Sequence, residues 1–252
     1  MGRLCAVIVT AAAIFNTSVV TGENKVVVNG QHILEFNHGS AKHLSNKYLL
    51  FLPENYGKEK KRWPAILYLH GASVRGTNIQ KVRRYGLPYK VDQEKDFPFV
   101  VISPQCIKGT KWTNANELID LVDEVCSQYE IDSSRMYVTG VSMGGQGAWY
   151  IASQYPERFA AIAPLCGRAD TSWALKLSKV PVWVFHGAKD KRCPIYYSER
   201  MVEALKALGG IIKFTVYPKE GHDIVTRTYE NAELYNWFLQ HRKENRIAPA
   251  AL

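Results

Sequence analysis

Tyr137-Val138-Thr139-Gly140-Val141-Ser142-Met143-Gly144-Gly145 is the stretch that decides the fold. It closes the apolar run Met136–Val141, which reads as a strand, and it opens a helical pattern carried by Gly147, Ala148, Ile151, Ala152 and Tyr155. Between them lies Gly140-x-Ser142-x-Gly144. A strand-to-helix turn this sharp holds the serine in a strained conformation, and a glycine two residues to either side lets the strand and the helix approach closely. The hydroxyl then projects from the end of the strand, next to a helix N-terminus that favours negative charge. Ser142 is therefore a candidate nucleophile.

Outward from this turn the chain alternates. Short apolar runs read as strands at Ala65–Leu69, Phe99–Ile102, Phe159–Leu165, Val182–Phe185 and Ile211–Tyr217. They lack polar alternation, as strands covered on both faces do. Amphipathic helices are expected over Asn116–Tyr129, Tyr196–Leu208 and Tyr229–His241. Strand–helix alternation implies an α/β domain with a mostly parallel sheet and right-handed crossovers. Val26–Leu52 differs and reads as two or three strands joined by turns, with Asn29-Gly30 as a hairpin signal. The sheet thus has an antiparallel start. No linker divides residues 23–252, so one domain is expected there.

A serine needs a base. His222, in Gly221-His222-Asp223 just past the run Ile211–Tyr217, falls on a loop at a strand's C-terminal end, where open α/β sheets bind ligands. His241 lies in the last helix, and His186 ends a strand. The orienting acid is expected at Asp190, after Gly187 on the loop that follows Val182–Phe185; Asp170 and Asp223 are less well placed. Its role would be to hold the imidazole and stabilise its charged form. The loop His70-Gly71-Ala72-Ser73 follows Ala65–Leu69. Its Ala72 N–H, with Ser73 as the alternative, and the Met143 N–H are the expected oxyanion donors. His70 reads as a loop brace, and Trp149 and Trp183 as core.

Composition bounds the partners. Apolar residues make up 46% and charged residues 22%, which excludes a disordered or fibrous chain. The net charge of +9 is spread out, and its densest groups, Lys58–Arg62 and Arg83-Arg84, are not interleaved with stacking aromatics. Solvated surface is therefore expected there, with no nucleic-acid partner. Met1–Gly22 has a basic start, an apolar stretch Leu4–Phe15 and a small, polar end, the order of a secretory signal peptide. The apolar stretch is too short to span a bilayer, so an exported chain without a stable membrane anchor is expected. Beyond it stand Cys106, Cys126, Cys166 and Cys193, without the close paired spacing of a zinc site. No metal is expected. Their pairing is open.

Taken in order, His70-Gly71-Ala72, Gly140–Gly144, Asp190 and His222 resemble the α/β-hydrolase superfamily from Tyr48 to the C-terminus. Leu69–Gly76, Ser103-Pro104-Gln105-Cys106 and Trp112 are similar to the lidless single-domain esterases of the feruloyl-esterase and polyhydroxybutyrate-depolymerase-like group, and to predicted peptidases of prolyl-oligopeptidase type. The resemblance implies a Ser142-Asp190-His222 triad and an acyl-enzyme reaction on small-molecule or polymer-linked esters without a cofactor. A small serine peptidase and a non-catalytic binding member of the fold are the alternatives. Many relatives insert a cap where this chain has only Cys166–Lys179, so an open site is expected. Trp112, Gln105 and Arg75 are the substrate-contact candidates at its rim. The sequence leaves the oligomeric state open.

Overall fold

A computed structural model describes residues 29–36 and 43–243. The expected signal peptide, Met1–Gly22, lies outside them. Eight strands form one sheet: β1 Gly30–Glu35, β2 Leu44–Leu52, β3 Trp63–Leu69, β4 Val100–Cys106, β5 Ile131–Val141, β6 Ala161–Leu165, β7 Val182–Gly187 and β8 Ile212–Tyr217. Their spatial order is β1-β2-β4-β3-β5-β6-β7-β8. β1 and β2 run antiparallel to their neighbours, and the pairings from β4 through β8 are parallel. This is the mostly parallel α/β-hydrolase sheet with an antiparallel start.

The helices are α1 Gln80–Arg83, α2 Leu87–Gln93, α3 Ala115–Gln128, α4 Met143–Gln154, α5 Ala174–Leu177, α6 Tyr196–Ala207, α7 Val225–Tyr229 and α8 Ala232–Leu239. Strand alternation sorts them into two layers. Leu67 and Leu69 of β3 and Val138 of β5 face α3, α4, α5 and α6 through Leu118, Leu121, Ala148, Leu177 and Met201. Ile66, Tyr68 and Tyr137, one residue out of phase, face α2, α7 and α8 through Leu87, Tyr229 and Phe238. Each fully buried Leu or Phe contributes about 1.5–3 kcal/mol. A helix cap, such as Asn114 accepting from the Glu117 N–H at the start of α3, contributes about 1 kcal/mol. Packing decides where these helices lie, and caps decide where they begin.

Two expectations are corrected. Asn29-Gly30 is not a hairpin turn: Gly30 begins β1 and pairs with Leu52, and the β1–β2 connection falls after Phe36. The expected helix Tyr229–His241 is broken at Glu230–Asn231, because the Asn231 side chain accepts from the Glu233 N–H and starts α8 afresh. Between β6 and β7 stand only a 3-10 turn, Thr171–Trp173, and the four-residue α5, so no cap domain covers the sheet.

The sheet and α4 meet backbone to backbone. A Cβ on Gly144 would lie 1.8 Å from the Leu69 carbonyl oxygen and 2.8 Å from that of His70. A Cβ on Gly140 would lie 2.4 Å from the Gly144 oxygen. Gly144→Ala is expected to cost about 3 kcal/mol or more, a fall of roughly 6–12 °C in Tm for a domain of this size. Gly221→Ala, whose Cβ would meet only the Lys189 oxygen at 3.7 Å, should melt close to the parent. Thermal unfolding of the two variants side by side checks this.

Candidate active site

Ser142 sits between β5 and α4 with φ 58° and ψ −114°, in the left-handed half of backbone space that non-glycine residues avoid. Such strain costs on the order of 1–3 kcal/mol and persists only where the surroundings impose it. Here the Ser142 N–H is tied to the Leu165 carbonyl at 2.8 Å and its carbonyl to the Gln146 N–H at 2.9 Å. The hydroxyl does not cap α4. Instead Oγ lies 2.9 Å from Nε2 of His222.

His222 follows β8, and Asp190 follows β7. The two loops are stitched together by Ala188 N–H to the Tyr217 carbonyl at 3.0 Å and Lys189 N–H to the Glu220 carbonyl at 2.9 Å. They touch where Gly187 allows it, since a Cβ there would meet the Gly221 oxygen at 2.0 Å. His222 Nδ1 consequently reaches Asp190 Oδ2 at 2.7 Å. A carboxylate only accepts, so Nδ1 carries the proton and Nε2 is left to accept from Ser142.

Asp190 is enclosed and fully bonded. Its Oδ1 accepts from the Arg192 N–H at 2.8 Å and the Cys193 N–H at 2.9 Å. Burial alone would raise its carboxyl, but the Cys193 N–H, the His222 imidazole and the Arg192 N–H hold it below the ordinary value. It therefore stays ionised. His186, buried at the end of β7, braces the same loop: Nε2 donates to the Cys193 carbonyl at 2.8 Å and lies 3.3 Å from Asp190 Oδ2. Its Nδ1 then accepts from the Ser198 hydroxyl at 2.8 Å. Burial pushes the His186 pKa down, against the pull of the Cys193 carbonyl and Asp190. Sequence reading passed over His186 and Cys193 as site residues, for their role rests on contacts seven and twelve residues apart.

The β3 loop forms the opposite wall. A Cβ on Gly71 would lie 3.8 Å from the Ser142 Cβ, so His70–Ala72 runs directly beside the serine. His70 is a brace. Its Nε2 accepts from the Cys106 N–H at 3.0 Å, which leaves the proton on Nδ1 to donate to the Gly71 carbonyl at 2.7 Å. Ala72 is exposed and opens the 3-10 turn Ala72–Val74, and Met143 opens α4. The first N–H groups of such turns have no acceptor within them.

Of the expected rim contacts, Trp112 and Gln105 are corrected by their burial. Trp112 is 2% exposed; its indole N–H donates to the His70 carbonyl at 2.9 Å, and its ring stands edge-on to His70. Gln105 is wholly buried and its amide donates to the Val74 and Asn78 carbonyls. Both hold the β3 loop from beneath and neither faces a substrate. Arg75 is half-buried and donates to the Ala72 and Thr110 carbonyls, which fixes it to the same loop.

Asp170 is exposed and accepts from the Ser172 N–H, Asp223 is exposed beside His222, and His241 stacks edge-on against Trp237. None replaces Asp190 or His222. Cys106, Cys126, Cys166 and Cys193 are all free thiols. Cys166, at φ 44°, donates from Sγ to the His222 carbonyl at 3.4 Å and so supports the histidine from behind. Burial, with Asp190, Cys193 and Asp223 nearby, pushes its thiol up. Cys166, Asp190 and His222 each bring a ligating atom within 4.8 Å of the others. The thiol is held in its protonated form and the carboxylate–imidazole pair is already hydrogen-bonded, so the donor set suits a proton relay better than a cation. No helix among the described residues is long and apolar enough to cross a membrane.

The family model described as phospholipase/carboxylesterase matches residues 97–236, which include Ser142, Asp190 and His222. The chain belongs to this family of carboxylic ester hydrolases. Among curated relatives, a bifunctional acetylxylan esterase/xylanase of Neocallimastix patriciarum is 33% identical over 139 residues, 50% of this chain and 19% of that protein. Acetylxylan esterase A of Emericella nidulans is 29% identical over 128 residues, 45% of this chain and 40% of that protein. The matched stretches thus span less than half the length of these two relatives. A solved thermostable esterase superposes with a TM-score of 0.75 at 28% identity, over 84% of this chain and 63% of that one. A ferulic acid esterase, at 16% identity and a TM-score of 0.60 over 82% of this chain and 97% of that one, shares the fold.

The buried brace has a consequence for stability. Burial pushes the His70 pKa from 6.5 down to about 4, against the pull of the Gly71 carbonyl and with the help of Arg75. The unfolded chain therefore binds this proton more readily than the folded one. The stability at stake is fully present above the unfolded value and is lost as the pH falls through the folded one, about 3 kcal/mol in all. His70→Gln should lower stability at neutral pH and flatten its decline on acidification. Urea unfolding of both proteins from pH 7 to about pH 4 measures this, and equal slopes would refute it.

Proposed function

We propose that this protein is a serine hydrolase that cleaves carboxylic esters through an acyl-enzyme. The observation that carries the reading is the unbroken chain from Ser142 Oγ to His222 Nε2, and from His222 Nδ1 to Asp190, at 2.9 and 2.7 Å. Ser142 Oγ attacks the carbonyl carbon of the ester while His222 Nε2 takes its proton. Ionised Asp190 keeps the imidazole in the right tautomer and stabilises its charged form, without itself taking the proton. The oxyanion is met by the N–H groups of Met143 and Ala72, each typically worth a few kcal/mol in the transition state. Collapse expels the alcohol, which leaves with the proton from Nε2. Water, deprotonated by the same nitrogen, then attacks the acyl-enzyme and releases the acid and Ser142.

The substrate class follows from what covers the site. The short β6–β7 connection leaves the nucleophile without a cap, which suits acyl groups carried on bulky alcohols or on a polymer. The acetylxylan esterases among the relatives agree with this class. We therefore favour feruloyl-type or polymer-attached short acyl esters over long-chain lipids.

The test is steady-state hydrolysis of 4-nitrophenyl acetate through decanoate, methyl ferulate and a peptide 4-nitroanilide, with Ser142→Ala and Asp190→Asn beside the parent. Ester turnover should fall by about 10⁴-fold or more in both variants. It should favour short or feruloyl acyl groups. Anilide turnover above ester turnover would replace the esterase reading with a peptidase. A single burst without turnover would replace it with a binding protein.

A further inference from the structure

A cavity of about 420 Å³ opens beside the first turn of α4; its walls include Gln146, Arg168, Trp173, Tyr196, Tyr197 and Arg200. Gln146, on the first turn of α4, donates its N–H to the Ser142 carbonyl at 2.9 Å, which ties this wall of the cavity to the residue that carries the hydroxyl. Arg168 follows Gly167, whose backbone packs against Gly145 of the same turn. Tyr196 and Tyr197 begin α6, which the loop carrying Asp190 leads into. The cavity therefore lies within reach of one substrate molecule bonded at Ser142.

Its chemistry is specific. Arg168 and Arg200 are exposed and have no carboxylate partner among the described residues. Both are held by aromatic faces: the Arg168 guanidinium lies 5.3 Å from the Tyr197 ring and that of Arg200 5.5 Å from Tyr196. Arg200 also donates to the Tyr196 hydroxyl at 2.8 Å. Arg168 also hydrogen-bonds the Cys193 side chain, so each guanidinium spends part of its five N–H donors within the protein and keeps the remainder for a carboxylate. Trp173, Tyr196 and Tyr197 offer flat apolar surface to a ring. Asp170 also lines the cavity, but its carboxylate is turned to the Ser172 N–H. The loop from β7 to α6 adds exposed Lys189, Lys191 and Arg192.

We infer that this cavity is a specificity subsite for the anionic, ring-bearing part of the ester, with its carboxylate on Arg168 and Arg200 and its ring against Trp173, Tyr196 and Tyr197. The inference rests on the esterase reading of Ser142 and narrows its substrate class. A uronic acid unit of a polysaccharide and an aromatic acid share this chemistry.

Two substrate pairs test it: 4-nitrophenyl monoglutarate against 4-nitrophenyl valerate, and 4-acetoxybenzoate against its methyl ester. The parent should favour the charged member of at least one pair by about five- to tenfold in kcat/KM, expressed in KM. The ratio should fall towards one at about 0.5 M salt, where charges are screened over about 4 Å. It should collapse in Arg200→Gln and in the Arg168→Gln/Arg200→Gln double variant. Equal or reversed preference in both pairs, or a preference that survives both variants, overturns the subsite; Ser142-dependent turnover of the neutral esters would then leave the esterase reading standing. A readout independent of turnover is tryptophan fluorescence of Ser142→Ala during titration with glucuronate or 4-hydroxybenzoate, each against its neutral counterpart, glucose or 4-hydroxybenzamide. Saturable quenching by an acid alone, lost in Arg200→Gln, supports the subsite, and the acid that binds identifies the source. No binding by either acid counts against it even if no ester is turned over.

Discussion

The contact on which everything else depends is the backbone of Gly144 against the Leu69 carbonyl. No side chain fits between them, since a Cβ at residue 144 would lie 1.8 Å from that oxygen. This closeness brings the start of α4 down onto the ends of β3 and β5. It leaves Ser142 no backbone conformation but the strained one, and it sets the serine beside the His70–Ala72 loop. A local strain of about 1–3 kcal/mol is small against the burial around it: Leu69, Val141, Ala148 and Trp149 are all essentially inaccessible to solvent. The packing of the sheet thus holds the serine in a geometry that the isolated turn would not keep.

A second constraint acts on the other half of the site. His222 and Asp190 come from different strands, and nothing local to either loop would align them. The alignment comes from backbone hydrogen bonds between the β7 and β8 loops and from the close approach of Gly187 to Gly221. Asp190 is then surrounded by donors that want it charged, and His186 holds the loop that supplies them. Cys166 closes the arrangement from behind through the His222 carbonyl. The Ser142–His222–Asp190 chain of hydrogen bonds is thus already assembled without a ligand, the pre-organisation that the proposed reaction calls for.

These constraints explain what the sequence made legible. The elbow is read easily because its chemistry is written in consecutive residues: Gly140, Ser142 and Gly144 carry the steric argument alone. The parallel strands are legible because burial on both faces leaves continuous apolar runs, and the order of Asp190 and His222 follows from the loops after such runs. Asn29-Gly30 misled because a dipeptide that suits a turn suits equally a strand's first residue, and pairing with Leu52 decided the matter. Asn231 was hidden within a helical pattern, since the apolar period continues across a cap that interrupts the hydrogen bonds. Trp112 and Gln105 read as rim residues because sequence gives the loop a residue belongs to and not the side on which it lies. His186 carried no signal as part of the site: its partners, Cys193 and Ser198, meet it only once α6 has packed against β7.

The burial of Trp112 and Gln105 moves the question of specificity across the site. The wall formed by the β3 loop is held by its own side chains: His70, Trp112, Gln105 and Arg75 all bond backbone groups of the loop or of the segments packed against it. Selectivity for a substrate requires side chains whose bonding capacity is unspent, since a group already satisfied within the protein gains nothing by turning to a ligand. On the opposite wall Arg168 and Arg200 have aromatic supports and, among the described residues, no carboxylate partner. The fold thus divides the labour between its halves. One side is tied down by its own hydrogen bonds, and the other, on the proposed reading, is where one ester would be told from another.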